Sequence, residues 1–404
     1  MPSYNARHFG AGRPVGRGFE RRRPSSSRSS SKNKGNRQFI DPSKFIQAAK
    51  PVTEDVFTPE HAFSDFAMNP VLHRNIAAKG FTAPSRIQDV AIPHGLAGRD
   101  VVGIANTGTG KTTAFAVPVL HRLMQEPEAR ALIIAPTREL AEQIEAEVRS
   151  LAKGSGLFGA LLIGGMPMPR QLRELAAGPN VVIGTPGRIK DHFERGSLKL
   201  GDVNLIVLDE VDRMVDMGFI NDIRFLLGEL SAERQSLFFS ATMDRNVEGL
   251  VQGFAHEPVM ISVRTSATSE NVEQNVVRYF DNTHKLDSLH DILNRKEVSK
   301  VLVFDETQRN VEELAQELIG RGFRADALHG GKTQSQRTAA LKRFKSGDVS
   351  VLVATDVAAR GIDVADITHV VNYSLPNNYD DYTHRIGRAG RAGRQGYALT
   401  FIRG

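Results

Sequence analysis

Short apolar runs recur through residues 60–400 of this chain, with amphipathic helical patterns between them, and that alternation limits the fold more than any other feature. The runs at 101–104, 131–135, 181–184, 205–208 and 237–239 read as strands, and Leu140, Ile144 and Val148 share one face of a helix over Arg138–Leu151. A run with no polar alternation is buried on both faces, which points to a parallel sheet between two helix layers. A second series follows at 301–304, 351–354 and 370–372, with a helix over 311–319. Between the series, the polar stretch 264–271 (RTSATSEN) lacks apolar periodicity and reads as a linker. The expected architecture is therefore α/β: two tandem parallel-sheet domains, 60–263 and 272–404, joined by that short linker.

The N-terminus has a different texture. Residues 1–37 are Arg, Gly, Ser and Asn with almost no aliphatics, too few to offset the entropy of ordering, so a disordered tail is expected over 1–50. Residues 1–40 hold ten basic side chains and one acid (Glu20), a local charge of +9, while the remaining 364 residues carry 42 basic and 45 acidic groups. The chain's overall +6 is thus made by the tail, and the globular part is slightly acidic. Such an arm binds polyanions such as RNA by counterion release, or offers protein partners a contact, or is simply a solvated tail.

The chain has no cysteine, which excludes disulfides, thiolate zinc sites, iron–sulfur clusters and a cysteine nucleophile. No apolar run approaches the roughly 18 residues of a membrane span, and the Arg-containing start lacks the apolar core of a signal peptide. No membrane partner is expected, and a reducing, cytoplasmic location fits.

After the run at 101–104 comes Ala105-Asn-Thr107-Gly108-Thr109-Gly110-Lys111-Thr112-Thr113, then a helical pattern. Strand, glycine loop and helix in this order form a phosphate loop. Gly108 and Gly110 let backbone N–H groups approach phosphate oxygens, Lys111 brings a charge to the β/γ-phosphates, and Thr112 is a ligand for Mg2+. The general pattern's first glycine is Ala105 here. A hundred residues on, the run at 205–208 ends in Asp209-Glu210. Asp209 would hold the other side of the metal, and Glu210 would position or deprotonate the attacking water.

The run Val207-Leu-Asp-Glu-Val-Asp-Arg-Met-Val-Asp-Met-Gly-Phe219 resembles motif II of the DEAD-box RNA helicases, and the likeness extends over about residues 60–400. Phe63 and Gly80-Phe-Thr-Ala-Pro-Ser-Arg-Ile-Gln88 resemble the Q motif, which implies adenine recognition by Gln88 and stacking by Phe63. Pro136-Thr137-Arg138-Glu-Leu, Gly164-Gly165 and Thr185-Pro186-Gly187-Arg188 resemble the segments that hold the RNA backbone, and Ser240-Ala-Thr242 resembles the motif coupling nucleotide to RNA. In the second half, Val301–Phe304 with Thr307, Gln334 with Arg337, Thr355-Asp-Val-Ala-Ala-Arg-Gly-Ile-Asp363 and His384-Arg-Ile-Gly-Arg388-Ala-Gly-Arg391 resemble the remaining motifs. The resemblance implies two RecA-like domains, with Gln334, Arg337 and Thr355 on RNA, Asp363 on ATP and His384 in coupling. It departs at Val211, where the family name has Ala, and at Ser85, Arg86 and Ala389.

A transferred phosphoryl group spreads charge over its equatorial oxygens, and cations aimed at that charge accelerate the transfer. Lys111 and Mg2+ come from the first domain, and Arg388 and Arg391, three residues apart on an expected helix, would be arginine fingers from the second. The function this implies is RNA-stimulated ATP hydrolysis, with ATP and Mg2+ as cofactors, coupled to interdomain closure, local strand separation and RNP remodelling. An ATP-gated RNA clamp and a DNA helicase of the same superfamily are the alternatives. With 13 residues after Arg391, no folded C-terminal module is expected.

Overall fold

The computed structural model describes residues 40–49, 57–106, 108–263, 271–359, 364, 366–390 and 394–404. The expectations for residues 1–39, the linker at 264–270, Thr107, Asp363 and Arg391 fall outside the described residues.

The first sheet holds seven parallel strands: β1 (Val101–Ala105), β2 (Ala131–Ile134), β3 (Gly159–Leu162), β4 (Val181–Gly184), β5 (Leu205–Asp209), β6 (Gln235–Ser240) and β7 (Val259–Val263), in the order β3-β4-β2-β5-β6-β1-β7. Among the described residues nine α-helices accompany it: α1 (Pro70–Ala78), α2 (Arg86–Leu96), α3 (Lys111–Gln125), α4 (Arg138–Leu151), α5 (Met168–Ala176), α6 (Pro186–Glu194), α7 (Val211–Asp216), α8 (Ile220–Gly228) and α9 (Arg245–Phe254). The second sheet is also parallel: β8 (Val272–Tyr279), β9 (Val301–Phe304), β10 (Ala325–Leu328), β11 (Val351–Ala354), β12 (His369–Asn372) and β13 (Gly396–Arg403), in the order β10-β11-β9-β12-β13-β8. Its helices are α10 (Asn282–Leu293), α11 (Gln308–Gly320), α12 (Gln334–Ser346), α13 (Asp356–Ala359) and α14 (Tyr379–Ile386).

The period of two explains why these runs are strands. In β2, Ala131 and Ile133 enter the core on one face while Leu132 and Ile134 enter the core on the other. In β9, Val301 and Val303 divide from Leu302 and Phe304 in the same way. Each such Val, Leu, Ile or Phe side chain contributes about 1.5–3 kcal/mol when fully buried. Helix starts are written in the sequence as well: Thr137 caps α4, Asp244 caps α9, Thr307 caps α11 and Thr333 with Gln336 forms a capping box on α12.

Two expectations change. Within the tail expected over 1–50, residues 42–45 form a 3-10 turn, Pro42–Phe45, whose Phe45 is 1% exposed in the second domain's core. And Arg388 does not ride on a helix: α14 ends at Ile386, and Gly387 caps it.

Candidate nucleotide and RNA site

Three adjacent strands, β5, β6 and β1, deliver the nucleotide residues at their carboxyl ends, where parallel sheets bind ligands. The loop leaving β1 turns through Gly108 (φ 81°) and Gly110 (φ 92°), conformations that only glycine adopts freely. Gly110 is doubly constrained, because a Cβ there would lie 2.5 Å from Gln88 Nε2 and 2.9 Å from Ser85 Oγ. Lys111 opens α3 and donates from Nζ to the Ala105 carbonyl at 3.0 Å, and Thr109 Oγ1 donates to the Asn106 carbonyl at 2.9 Å. Thr112 sits on the first turn of α3, partly exposed. Thr113 is placed differently from expectation: buried, it turns its hydroxyl onto Glu147 of α4 at 3.3 Å, so that side chain braces the helix pair rather than facing phosphate.

The Q-motif residues underpin this loop. Gln88 accepts from Ser85 N–H at 2.9 Å and donates to the Gly110 carbonyl at 3.1 Å, while Ser85 Oγ donates to the Thr109 carbonyl at 2.7 Å. Both ends of the Gln88 amide are thus engaged on the protein. Phe63 is 7% exposed, edge-on to Phe66 and parallel to Phe81, so its ring is core rather than an open stacking face. The accessible aromatic of the group is Phe81, 38% exposed.

At the end of β5 the acids gather. Asp209, Glu210, Asp212 and Arg213 are all buried. Glu210 holds φ 55°, a left-handed conformation costing a non-glycine residue on the order of 1–2 kcal/mol, and strain of this kind gathers at functional sites. Burial pushes the Asp209 carboxyl up, with Lys111 opposing and Glu210 adding to the rise. For Glu210 burial pulls the same way, but the charges of Arg213, Lys111 and Arg388 prevail and hold it well below the usual carboxylate range. Arg213 pairs with Glu210 directly. Val211 is 1% exposed and joins the core cluster of Ile104, Leu208 and Met214, so its extra methyl groups find apolar neighbours.

Sequence reasoning missed Asp212, which ties the β5 end to the β6 end. Its Oδ2 accepts from Ala241 N at 3.0 Å, Thr242 N at 2.9 Å and Thr242 Oγ1 at 3.1 Å, while its own N–H donates to Ser240 Oγ at 3.2 Å. Ser240 and Thr242 are therefore locked to the acidic turn. The signal was the second Asp of the Asp-Glu-Val-Asp run.

Three further strands of the first sheet, β3, β4 and β2, end in the segments expected to hold RNA. Thr137 caps α4 after Pro136. The Arg138 guanidinium lies on the Gly164-Gly165 pair, where Cβ atoms would come within 2.7 Å of it. Arg138 is lowered in basicity, first by burial, then by the charge of Arg337, with Glu139 opposing and Arg188 adding. Arg188 Nη1 is buried without a hydrogen-bond partner, beside a helix start at Thr185-Pro186 where a Cβ on Gly187 would meet only open space. Converging cations, a spare donor and an accessible helix start are what a backbone phosphate requires.

Gln334 and Arg337 fall elsewhere than expected. Both are buried on α12 against α4: Arg337 Nη2 lies 2.8 Å from Glu139 Oε1, and Gln334 Nε2 donates to Glu139 Oε1 at 3.3 Å and Glu142 Oε1 at 3.2 Å. Glu139 is 2% exposed and a buried carboxylate needs a cation, so these two side chains join the domains directly. Thr355 ends β11, with its carbonyl accepting from Ala358 and Ala359 at the start of α13.

On α14, Arg385 is clamped by Asp356 at 2.5 and 2.7 Å, by the Ser374 carbonyl at 2.7 Å and by Asn372 Oδ1 at 3.2 Å, with Phe304 under its guanidinium at 5.0 Å. Phe304, Asp356, Asp381, His384, Arg385 and Arg388 line one small cavity. Arg388, 6% exposed, belongs to the second domain yet acts on Glu210 of the first.

The donor set suits Mg2+. Among the described residues no group of three or more His, Asp or Glu side chains forms a metal cage, and Mg2+ takes one or two carboxylates plus phosphate and water oxygens. Asp209, whose ionisation burial disfavours, is where a divalent cation would restore the charge.

Comparison with known proteins agrees with this geometry. Residues 85–250 match the family model for the DEAD/DEAH box helicase and residues 284–393 that for the helicase conserved C-terminal domain. The chain is 43% identical over 343 residues, 84% of its length, to the ATP-dependent RNA helicase CshA of Listeria monocytogenes, and spans 66% of that relative. Among solved structures, S. cerevisiae Dbp5 bound to RNA and ADP BeF3 superposes with a TM-score of 0.73 at 29% identity, covering 85% of this chain and 90% of that one. A DEAD box protein from Methanococcus jannaschii is 38% identical, with a TM-score of 0.50 and coverage of 85% and 93%. A phosphate loop braced by Gln88, acids at the next-but-one strand and two family models laid over two parallel sheets converge: this chain belongs to the DEAD-box helicase family.

Proposed function

We propose that the chain is an ATP-dependent RNA helicase: RNA laid across both domains favours their closure, and closure completes an ATPase site that remodels RNA locally. The observation that carries this reading is the division of charge. Lys111 and the acids at 209, 210 and 212 belong to the first domain, while Arg388, whose charge reaches Glu210, belongs to the second. Hydrolysis in such a site depends on how the domains stand.

In the reaction, water attacks the γ-phosphorus of ATP, the bond from that phosphorus to the β–γ bridging oxygen breaks, and ADP, inorganic phosphate and a proton leave. Glu210, kept ionised by its cationic neighbours, accepts the water's hydrogen bond and orients its attack. Lys111 and Arg388 would supply the cations that counter the negative charge building on the phosphoryl oxygens. Thr112 and Asp209 are the residues that would hold Mg2+, which when bound neutralises phosphate charge. Arg391 as a second finger, Thr107 as a loop residue and Asp363 as a nucleotide contact rest on the motif resemblance alone. Arg138, Gly164, Gly165, Thr185 and Arg188 take the RNA backbone, which needs donors placed for phosphates and no base readout. The structural relatives include Dbp5 bound to RNA and ADP BeF3, which supports that substrate class.

Among the described residues no helix is long and apolar enough to cross a membrane, and a cytoplasmic setting suits an enzyme of RNA and ATP. The basic arm at 1–37 adds non-specific RNA affinity or holds protein partners.

The test is a duplex-displacement assay with ATP hydrolysis followed in parallel. The wild-type chain hydrolyses ATP faster with RNA than with DNA and displaces a short RNA duplex, and Glu210→Gln does neither. Hydrolysis in Glu210→Gln at the wild-type rate overturns the assignment, and RNA-stimulated hydrolysis without displacement identifies a clamp.

A further inference from the structure

Residues 40–49 precede the first domain in the chain, yet they pack on the second. The 3-10 turn at Pro42–Phe45 is started by Asp41, whose carboxylate accepts from Ser43 N at 2.9 Å. Phe45 follows, 1% exposed, its ring centroid 4.8 Å from that of Tyr382 on α14. Two residues on, Gln47 exchanges backbone hydrogen bonds with Gln274 of β8, at 3.0 and 2.8 Å, as an antiparallel bridge. Strand β8 is the edge of the second sheet, so this segment covers an edge that otherwise presents unpaired N–H and C=O groups.

The seat is more than a covered edge, because its polar and aromatic contacts lead to α14. Gln274, 2% exposed, accepts the Tyr382 hydroxyl at 2.8 Å, and Lys44 lies over the Tyr379 ring at 5.7 Å. Phe45 shares one buried cluster with Val272, Tyr382, Ile386 and Ala389. Ala389 is the neighbour of Arg388, and the next residue, Gly390, is so close to Val272 that a Cβ would come within 2.9 Å of it. Phe45 and Gln274 thus meet at Tyr382, ahead of His384, Arg385 and Arg388, while Val272 of the same strand as Gln274 abuts Gly390 just beyond them. A buried aromatic sets position by shape, and a displacement of about 1 Å at a catalytic group can cost on the order of 100-fold in rate.

We propose that residues 40–49 are a strap of the second domain that holds α14 in register, making Phe45 and Gln47 positioning residues for ATP hydrolysis; this rests on the function proposed above.

The experiment compares four full-length or near-full-length chains: wild type, a chain lacking residues 1–37 that keeps the strap, Phe45→Ala and Phe45→Met. RNA-stimulated ATP hydrolysis is measured for kcat and KM, nucleotide affinity with a fluorescent ADP analogue, and thermal melting well above the assay temperature serves as the fold control. Removal of 1–37 leaves kcat unchanged, while Phe45→Ala lowers kcat about tenfold with ADP affinity within about twofold, and Phe45→Met, similar in volume, restores most of it. Wild-type kcat in folded Phe45→Ala overturns the strap proposal, as does a loss in KM and ADP affinity with kcat intact. Should Phe45→Ala melt below the assay temperature, Gln47→Pro, which removes one backbone donor to Gln274, carries the same expectation, and a wild-type kcat there overturns the proposal. Absence of RNA-stimulated hydrolysis in the wild-type chain strikes the proposed function instead, so the two failures are distinct.

Discussion

The two domains place the residues of the candidate site by different means. In the first, Lys111, Asp209, Glu210 and Ser240 stand at or close beyond the ends of three neighbouring strands, and backbone geometry fixes them: Gly108 and Gly110 shape the loop, and Asp212 bolts one turn to the next with four hydrogen bonds. In the second, His384 and Arg385 ride on α14 and Arg388 just beyond it; Asp356, Asn372 and Phe304 hold Arg385, and Phe45, from far upstream, packs on Tyr382 of the same helix. The first half of the site is held by contacts within its own domain. The second contributes charge whose value depends on where the domain stands. That asymmetry is a physical basis for switching hydrolysis on with RNA rather than with ATP alone.

The contrast is broken most visibly in the first domain. Lys111→Ala removes the one cation already seated in the loop and lowers both nucleotide affinity and hydrolysis, the rate by about 1,000-fold or more. Arg388→Ala lowers kcat by a similar or slightly smaller factor, on the order of 1,000-fold, yet leaves the binding of an ADP analogue within about threefold. An equal loss of binding in both variants would erase the distinction between the two halves. Next comes the joint between the domains. Arg337→Ala leaves Glu139 buried without its cation, and removing one partner of a buried pair costs about 3–5 kcal/mol, so ATP-dependent RNA affinity falls on the order of 100- to 1,000-fold, as a filter-binding titration reads. Removing residues 1–37 has a smaller effect, several-fold in RNA affinity at low salt and vanishing as salt rises, with maximal turnover unchanged.

The smallest effect is the pH dependence contributed by one buried imidazole of the second domain. Burial holds His369 down to about 4, with Glu297 opposing and Arg295 adding. In the unfolded chain this imidazole takes its proton near pH 6.5, and in the folded one only near 4. Its contribution to stability is therefore whole above pH 6.5 and declines as pH falls from 6.5 towards 4. Thermal melting of wild type and His369→Gln between about pH 4.5 and 7.5 isolates it: the stability difference between the two falls as pH drops from 6.5, while groups such as Asp209 contribute equally to both.

Much of this organisation is legible in the sequence, because strand and helix starts have local causes. Strands at Val181–Gly184, Val301–Phe304 and Val351–Ala354 and the helix Arg138–Leu151 have the ends that periodicity and capping residues assign. The phosphate loop is equally local, with its glycines, Lys111 and Thr112 in one run. What local reasoning misses depends on partners distant in the chain. Thr113 turns away because Glu147 lies beside it on α4, and Gln334 and Arg337 find buried carboxylates rather than an open groove. Phe63 has the right residue type for stacking but is enclosed by Phe66 and Phe81. Phe45 stands next to a tail whose composition signals disorder, and nothing near it in sequence announces that its partner is the distant Tyr382. Arg385, between two residues singled out for function, is a structural clamp recognisable only from Asp356 and Asn372.

In this mechanism Arg388 serves hydrolysis only once RNA has brought the domains together. Single-turnover ATP hydrolysis, with the chain in excess over ATP and with or without saturating single-stranded RNA, measures this in wild type and Arg388→Ala. RNA should accelerate the wild-type reaction by about 100-fold or more, and Arg388→Ala should lose that acceleration while keeping the slow RNA-free rate. An RNA-free rate equal to the RNA-bound rate, or a variant that lowers both rates by the same factor, would contradict it.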